Sequence, residues 1–82
     1  MPTITVLYFA ALRDRLACAQ DIVELPTETT AEAVLAELAR LRPAGAELFA
    51  RSRVAVDLAF VSGPLRLSEA SEVAVIPPVS GG

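Results

Sequence analysis

The sequence contains no histidine, no lysine and no tryptophan, and its one cysteine is Cys18. Each absence removes a chemistry. Without histidine the chain offers no imidazole as general base or metal ligand, and without lysine no amine to form a Schiff base or accept an isopeptide bond. One thiol cannot close an internal disulfide and falls far short of a zinc ligand set. Cys18 is therefore either a small half-buried apolar residue near a helix end or a thiol able to carry a persulfide, with only Arg13 and Arg15 as cations near it in sequence. The four glycines, Gly45, Gly63, Gly81 and Gly82, form no phosphate-cradling loop, and Glu24, Glu28, Glu32 and Glu37 read as solvated faces. No catalytic constellation, metal site or bound cofactor is expected of this chain alone. No run approaches the ~18–20 apolar residues of a membrane span, and no signal peptide opens the chain, so the cytoplasm is the expected compartment.

What is present is a chain of 82 residues, 54% hydrophobic and 21% charged. That length suits one small domain, and the composition belongs to folded globular chains. With so few aromatic residues the core is expected to be aliphatic. A net charge of −3 argues against nucleic acid as the main partner, because phosphate binding requires a basic face. It is compatible with a basic or apolar protein partner.

Thr3 to Phe9, rich in β-branched and aromatic residues, reads as a strand with Ile4, Val6 and Tyr8 on one face and Thr3, Thr5, Leu7 and Phe9 on the other. Ala10 to Ala17 has the composition of a short helix. Asp21 to Leu25 alternates and stops at Pro26, as a second strand antiparallel to the first. Thr29-Thr30-Ala31-Glu32 matches a capping box, with the Thr29 hydroxyl and the Glu32 carboxylate satisfying each other's free amides. Val34, Leu35, Leu38 and Leu41 then form the apolar stripe of a helix of about three turns, ended by Pro43. Ala44 to Ala50 is expected to form a weak helical turn with Leu48 and Phe49 inward. Arg53 to Asp57 reads as a third strand with Val54 and Val56 inward, and Phe60-Val61 as a short fourth, turned by Ser62-Gly63-Pro64. Ser68 to Glu72 is a turn and Val73 to Ile76 the closing strand. One helix across a mixed sheet of four or five strands, an α+β architecture, is the compact solution for this order.

The alternation leaves apolar residues on the far side of the sheet from that helix: Leu7, Phe9 and Ile76, joined by Phe60. This cluster is either a protein-docking patch or ground covered by the short helix or a loop. The chain is expected to divide into a folded body, 1–76, and an extended tail, 77–82, of sequence Pro77-Pro78-Val79-Ser80-Gly81-Gly82. Proline fixes its own φ and biases the preceding residue toward extended backbone. Glycine gives the thinnest possible backbone. The pattern reads either as a frayed end or as a stiff stalk carrying a slim tip into another protein's site. The distinctive reactive group is then the Gly82 carboxylate, a poor electrophile until activated as an acyl-adenylate. Sulfur delivered to that carbonyl yields a thiocarboxylate, a soft nucleophile. A separate activating enzyme using ATP and magnesium supplies the catalytic groups this chain lacks.

Phe9-Ala10-Ala11-Leu12-Arg13-Asp14 and the segment from Glu72 to Gly82 resemble the small subunit of molybdopterin synthase, across essentially the whole length. The resemblance implies a ubiquitin-like β-grasp fold. It implies that Gly82 is adenylated by an E1-like enzyme, converted to a thiocarboxylate through that enzyme's sulfur donor, and inserted with Gly81, Ser80, Val79, Pro78 and Pro77 into the pocket of a large subunit. There it would give sulfur to a cyclic pyranopterin, within a heterotetramer of two small and two large subunits, for molybdenum cofactor biosynthesis. It further implies partner contacts through Phe9, Phe60 and Ile76, with Leu7 and Arg13 beside them. Asp57 stands where the family commonly has Asn, and Ala70-Ser71 where it has Gly-Asp, so Ala70 is expected either at negative φ or under local strain. The other readings are a sulfur carrier for thiamine or cysteine biosynthesis, a ubiquitin-like modifier attached through Gly82, and an interaction module whose tail is incidental.

Overall fold

The computed structural model of the chain describes residues 1–78, and the expectations for Val79, Ser80, Gly81 and Gly82 lie outside the described residues. Strand β1 (Thr3–Tyr8) leads into α1 (Ala10–Leu16) and back through β2 (Gln20–Glu24). A short β3 (Glu28–Thr30) runs into the main helix α2 (Ala31–Leu41). A 3-10 turn at Pro43–Gly45 and the short α3 (Ala46–Ala50) follow. The chain then returns through β4 (Arg53–Val56), β5 (Ala59–Val61), β6 (Pro64–Arg66) and β7 (Glu72–Ile76). Five strands form one sheet in the order β2-β1-β7-β4-β5, with β1 and β7 parallel at its centre and the remaining pairs antiparallel. With α2 across it, this is the expected β-grasp arrangement.

Period-two alternation sets the core. Ile4, Val6 and Tyr8 of β1, Val54 of β4 and Val73 and Val75 of β7 are buried beneath Val34 and Leu38 of α2. Burying each such aliphatic side chain contributes about 1.5–3 kcal/mol before the conformational entropy is set against it. Leu48 and Phe49 of α3 turn inward as expected, and Phe49 meets Tyr8 edge-on with ring centroids 5.9 Å apart. Cys18 is half-buried and packs against this core.

Three details differ from the sequence reading. The cap of α2 is Thr30, whose hydroxyl accepts from the Ala33 amide at 3.0 Å, and the box between Thr29 and Glu32 does not form. The reason lies in β3: Thr29 pairs with Leu65, so the backbone stays extended through Thr30 and the helix begins one residue later. Glu32 remains in the first turn, where its charge favours the helix dipole. The second difference is that Pro64–Arg66 is itself a strand, pairing with β3 in a separate two-stranded sheet, where the sequence reading placed Pro64 in a turn and assigned no strand to Leu65 and Arg66. The third concerns the stalk: Pro77 is buried and Pro78 exposed, so Pro77 still belongs to the packed body.

The two unusual turn residues are accommodated differently. Ala70 is not among the residues at positive φ, in line with its lack of a glycine's freedom. Asp57 does adopt φ +50, a region that Asp and Asn tolerate. Its Oδ1 accepts from the Glu72 amide at 2.9 Å, while its own amide donates to the Glu72 carbonyl at 2.9 Å. This double contact fastens the β4–β5 turn to the start of β7.

Candidate functional site

The side of the sheet away from α2 carries a row that crosses four strands. Leu7 pairs with Ala74, Ala74 with Ala55, and Ala55 with Phe60. Two alanines at the centre make a low floor, and the large side chains at either end make walls. Two residues on from Leu7 and Ala74, on the same face, stand Phe9, in extended backbone just past β1, and Ile76, at the end of β7. The result is an apolar hollow of about 210 Å³ lined by Leu7, Phe9, Phe60 and Ile76 above Ala55 and Ala74. Phe9 is 42% exposed and Phe60 53%, so α1 leaves the hollow open. Ile76 is the last residue of β7, and the chain continues from it directly into Pro77 and Pro78.

Of the residues expected at a docking face, the structure brings Leu7, Phe9, Phe60 and Ile76 together. Arg13 lies exposed on α1 and does not line the hollow. Pro77 and Pro78 follow at its edge, and Val79 to Gly82 lie outside the described residues.

Two contributors were missed in the sequence. Arg53, opposite Ile76 in the β4–β7 register, lays its guanidinium over the Phe60 ring at 4.0 Å from the centroid. Leu58, in the two-residue turn between β4 and β5, is 93% exposed and lines the hollow. The signal for both was available. Arg53 and Phe60 are diagonal neighbours once Phe60 is placed opposite Ala55, and Asp57-Leu58 joins two strand-like stretches with the spacing of a tight hairpin.

The hollow is also polar at its two ends. Arg53 marks the end where the chain leaves toward Pro77, and Glu72 lines the opposite end beside the Asp57 turn. Among the described residues neither forms an ion pair within the chain.

A larger groove of about 510 Å³ lies at the opposite sheet edge, between β2 and the end of α2. Two of its polar groups, Asp21 and Arg42, are committed to the fold. Asp21 accepts from the Tyr8 hydroxyl at 2.8 Å and from both Nε and Nη2 of Arg42, at 2.7 and 2.5 Å. The hydrogen bond from Arg42 is the main reason the Asp21 carboxyl lies below its usual range. Burial, then the bond to Asp21, pushes the Tyr8 hydroxyl above its own. Among the described residues no group of His, Cys, Asp and Glu could hold a metal ion, and no helix is long and apolar enough to cross a membrane.

The model of the ThiS family matches residues 6–82. Among solved structures, small archaeal modifier protein 1 (SAMP1) of Haloferax volcanii superposes with a TM-score of 0.79 at 20% identity, covering 98% of this chain and 99% of that one. A Pyrococcus furiosus protein provisionally designated molybdopterin converting factor subunit 1 gives a TM-score of 0.78 at 24% identity, with 96% and 100% covered. A chain in the complex of subunits 1 and 2 of the molybdopterin-converting factor from Helicobacter pylori gives 0.70 at 12% identity, with 98% and 99% covered. No curated protein matches the chain closely enough to count as a relative.

Proposed function

The chain belongs to the ThiS family, and from that premise we propose that it is a sulfur carrier whose Gly82 carboxylate is the working group. The observation that carries this reading is the open apolar hollow of Leu7, Phe9, Phe60 and Ile76, set where β7 runs into Pro77 and Pro78. An enzyme that acts on Gly82 must also lie against the surface from which the tail departs, and this hollow is that surface.

The chemistry is supplied from outside. The Gly82 carboxylate attacks the α-phosphorus of ATP on an E1-like adenylating enzyme, which holds the magnesium, and pyrophosphate leaves. Hydrosulfide-level sulfur from the donor then attacks the acyl carbon, the C–O bond to AMP breaks, and the thiocarboxylate remains. The absence of histidine and lysine from this chain fits a carrier that contributes only the acyl group.

Within that class we assign the carrier to molybdenum cofactor biosynthesis, with a molybdopterin synthase large subunit receiving the tail in a heterotetramer and no nucleic-acid or membrane partner. The lead-in Pro77-Pro78-Val79-Ser80 supports this branch, as does the likeness of the fold to a subunit 1 solved together with its subunit 2. The modifier reading is favoured by a different observation, the fold likeness to small archaeal modifier protein 1, at a TM-score of 0.79.

Intact-mass measurement separates these outcomes. Incubated with its genome's adenylating enzyme, ATP, magnesium and a sulfur donor, the protein is expected to gain the oxygen-to-sulfur mass difference. Addition of the large subunit and a pyranopterin precursor should return it to the starting mass. Persistence of the unmodified mass under all these conditions overturns the carrier reading. Covalent attachment to lysines of other proteins, without sulfur loss to the pterin, replaces it with the modifier.

A further inference from the structure

Leu58 combines two properties that oppose each other unless it has a partner. It stands in the second position of a two-residue hairpin, Asp57-Leu58, closed by the pairing of Val56 with Ala59. Both turn residues have positive φ, +50 and +72, the conformation of a type I′ turn. That turn selects Asn or Asp followed by Gly, because glycine alone adopts such backbone without strain from a Cβ. Asp57 suits its position. Leu58 does not, since a branched apolar side chain has no local hydrogen bond to offset the strained backbone. Nor does the side chain contribute to the core, being 93% exposed.

Strained backbone persists where the surroundings over-determine it, and it gathers at binding sites. Here the surroundings do so: the Asp57 carboxylate and amide both bond to Glu72, which locks the turn against β7. The lock holds Leu58 at the rim of the hollow, across the Ala55–Ala74 floor from Leu7 and Phe9.

We propose that Leu58 is a specificity-determining anchor of the docking hollow, held out by a strained turn to insert into an apolar recess on the adenylating enzyme. This rests on the reading that the hollow is the face that enzyme covers. The charge layout fixes the orientation of the occupant. The enzyme segment over the hollow is apolar at its centre, carries an acidic residue at the Arg53 end and a basic residue at the Glu72 end.

The test pairs two sites on the full chain, with affinity for the adenylating enzyme of the same genome measured alongside thermal melting. Phe60→Asp is expected to weaken binding by about tenfold or more, since it places a charge in the hollow. Leu58→Gly and Leu58→Asn are expected to weaken it by about tenfold, while melting stays level or rises as the turn relaxes. Leu58→Met should keep most of the affinity, because it retains the apolar side chain. If Phe60→Asp binds as the parent does, the docking reading fails. If Phe60→Asp is impaired while Leu58→Gly and Leu58→Asn bind normally, the docking face stands and the anchor is overturned. A fall in melting temperature for Leu58→Gly would also overturn it, because the leucine would then be serving the fold.

Discussion

The guanidinium of Arg53 lies 4.0 Å from the centroid of the Phe60 ring, so the most exposed aromatic residue of the open face is covered on one side by a cation. The contact fixes the ring's orientation and leaves the charge at the rim. Arg53→Ala should cost the free domain about 0.5–1 kcal/mol, read as a shift in denaturant midpoint. Its larger signature should be in association. Removing a rim charge lowers the salt dependence of partner binding, so affinities measured from low to physiological salt should converge in the variant. An unchanged salt slope would place Arg53 outside the interface.

Acid stability should depend on Asp21. Its folded carboxyl is held down chiefly by the hydrogen bonds from Arg42. The contribution is therefore complete above the unfolded value of ~4 and is lost as pH falls through the lower folded value. Asp21→Asn should destabilise the protein by about 1 kcal/mol at neutral pH, kept small because the Arg42 side chain remains 41% exposed. Parent and variant should then approach each other below pH ~4. Urea denaturation at stepped pH checks this, and a gap that does not narrow as pH falls below ~4 would contradict it.

Alkaline stability has the opposite sign at Tyr8. Burial raises its folded value, so the neutral ring's contribution is intact below the unfolded value of ~10 and is lost as pH rises beyond it. Tyr8→Phe removes this titration, along with the bond to Asp21. The variant should be less stable at pH 7 but lose less on going to high pH, which urea midpoints across the alkaline range would show.

The central strands were legible in the sequence because burial on one face imposes an alternation that few other structures share. Ile4, Val6, Tyr8, Val54, Val73 and Val75 could be assigned inward from spacing alone, and all are buried, while Val56, assigned with them, is only partly buried against the core. Leu7, Phe9, Phe60 and Ile76 could be grouped by the same rule, since the residues left over had to share the other face. Arg13 was attached to that group by its place in a motif, and nothing in its spacing put it on the hollow. The short β3–β6 pair was not legible, because three residues give no period to read and their partner lies far along the chain. Leu58 escaped for a different reason: a leucine in a positive-φ turn contradicts turn chemistry, so the two-residue spacing between Val56 and Ala59 was its one signal.

The shift of the α2 cap by one residue separates two neighbouring threonines. Thr30→Ala removes the acceptor for the Ala33 amide and should cost about 1 kcal/mol, within the range for loss of a threonine cap. Thr29→Ala touches no cap and should cost distinctly less, through β3 alone. Equal losses in thermal melts of the two variants would mean that Thr29 shares the capping.

Deleting Gly82 tests the tail by geometry. Each residue of extended chain spans about 3.3–3.6 Å, so removing one withdraws the terminal carboxylate by that distance from wherever the full tail places it. Adenylyl transfer to the carboxylate requires reacting atoms about 3–3.5 Å apart, and a misplacement of ~1 Å can cost about a hundredfold. Adenylation of the shortened chain should therefore fall by at least that factor, followed as ATP-dependent pyrophosphate release. The fold should not notice, because the buried core residues end at Val75, with Pro77 the last buried residue described. Gly82→Ala is the companion variant. It keeps the length and the carboxylate but adds a Cβ, so it should retain binding while reacting more slowly if the tip enters a channel sized for glycine. A shortened chain that is adenylated at the parent rate would show that Gly82 is not the acceptor. A loss of melting temperature in the same variant would show that the tail supports the body, contrary to a core complete without it.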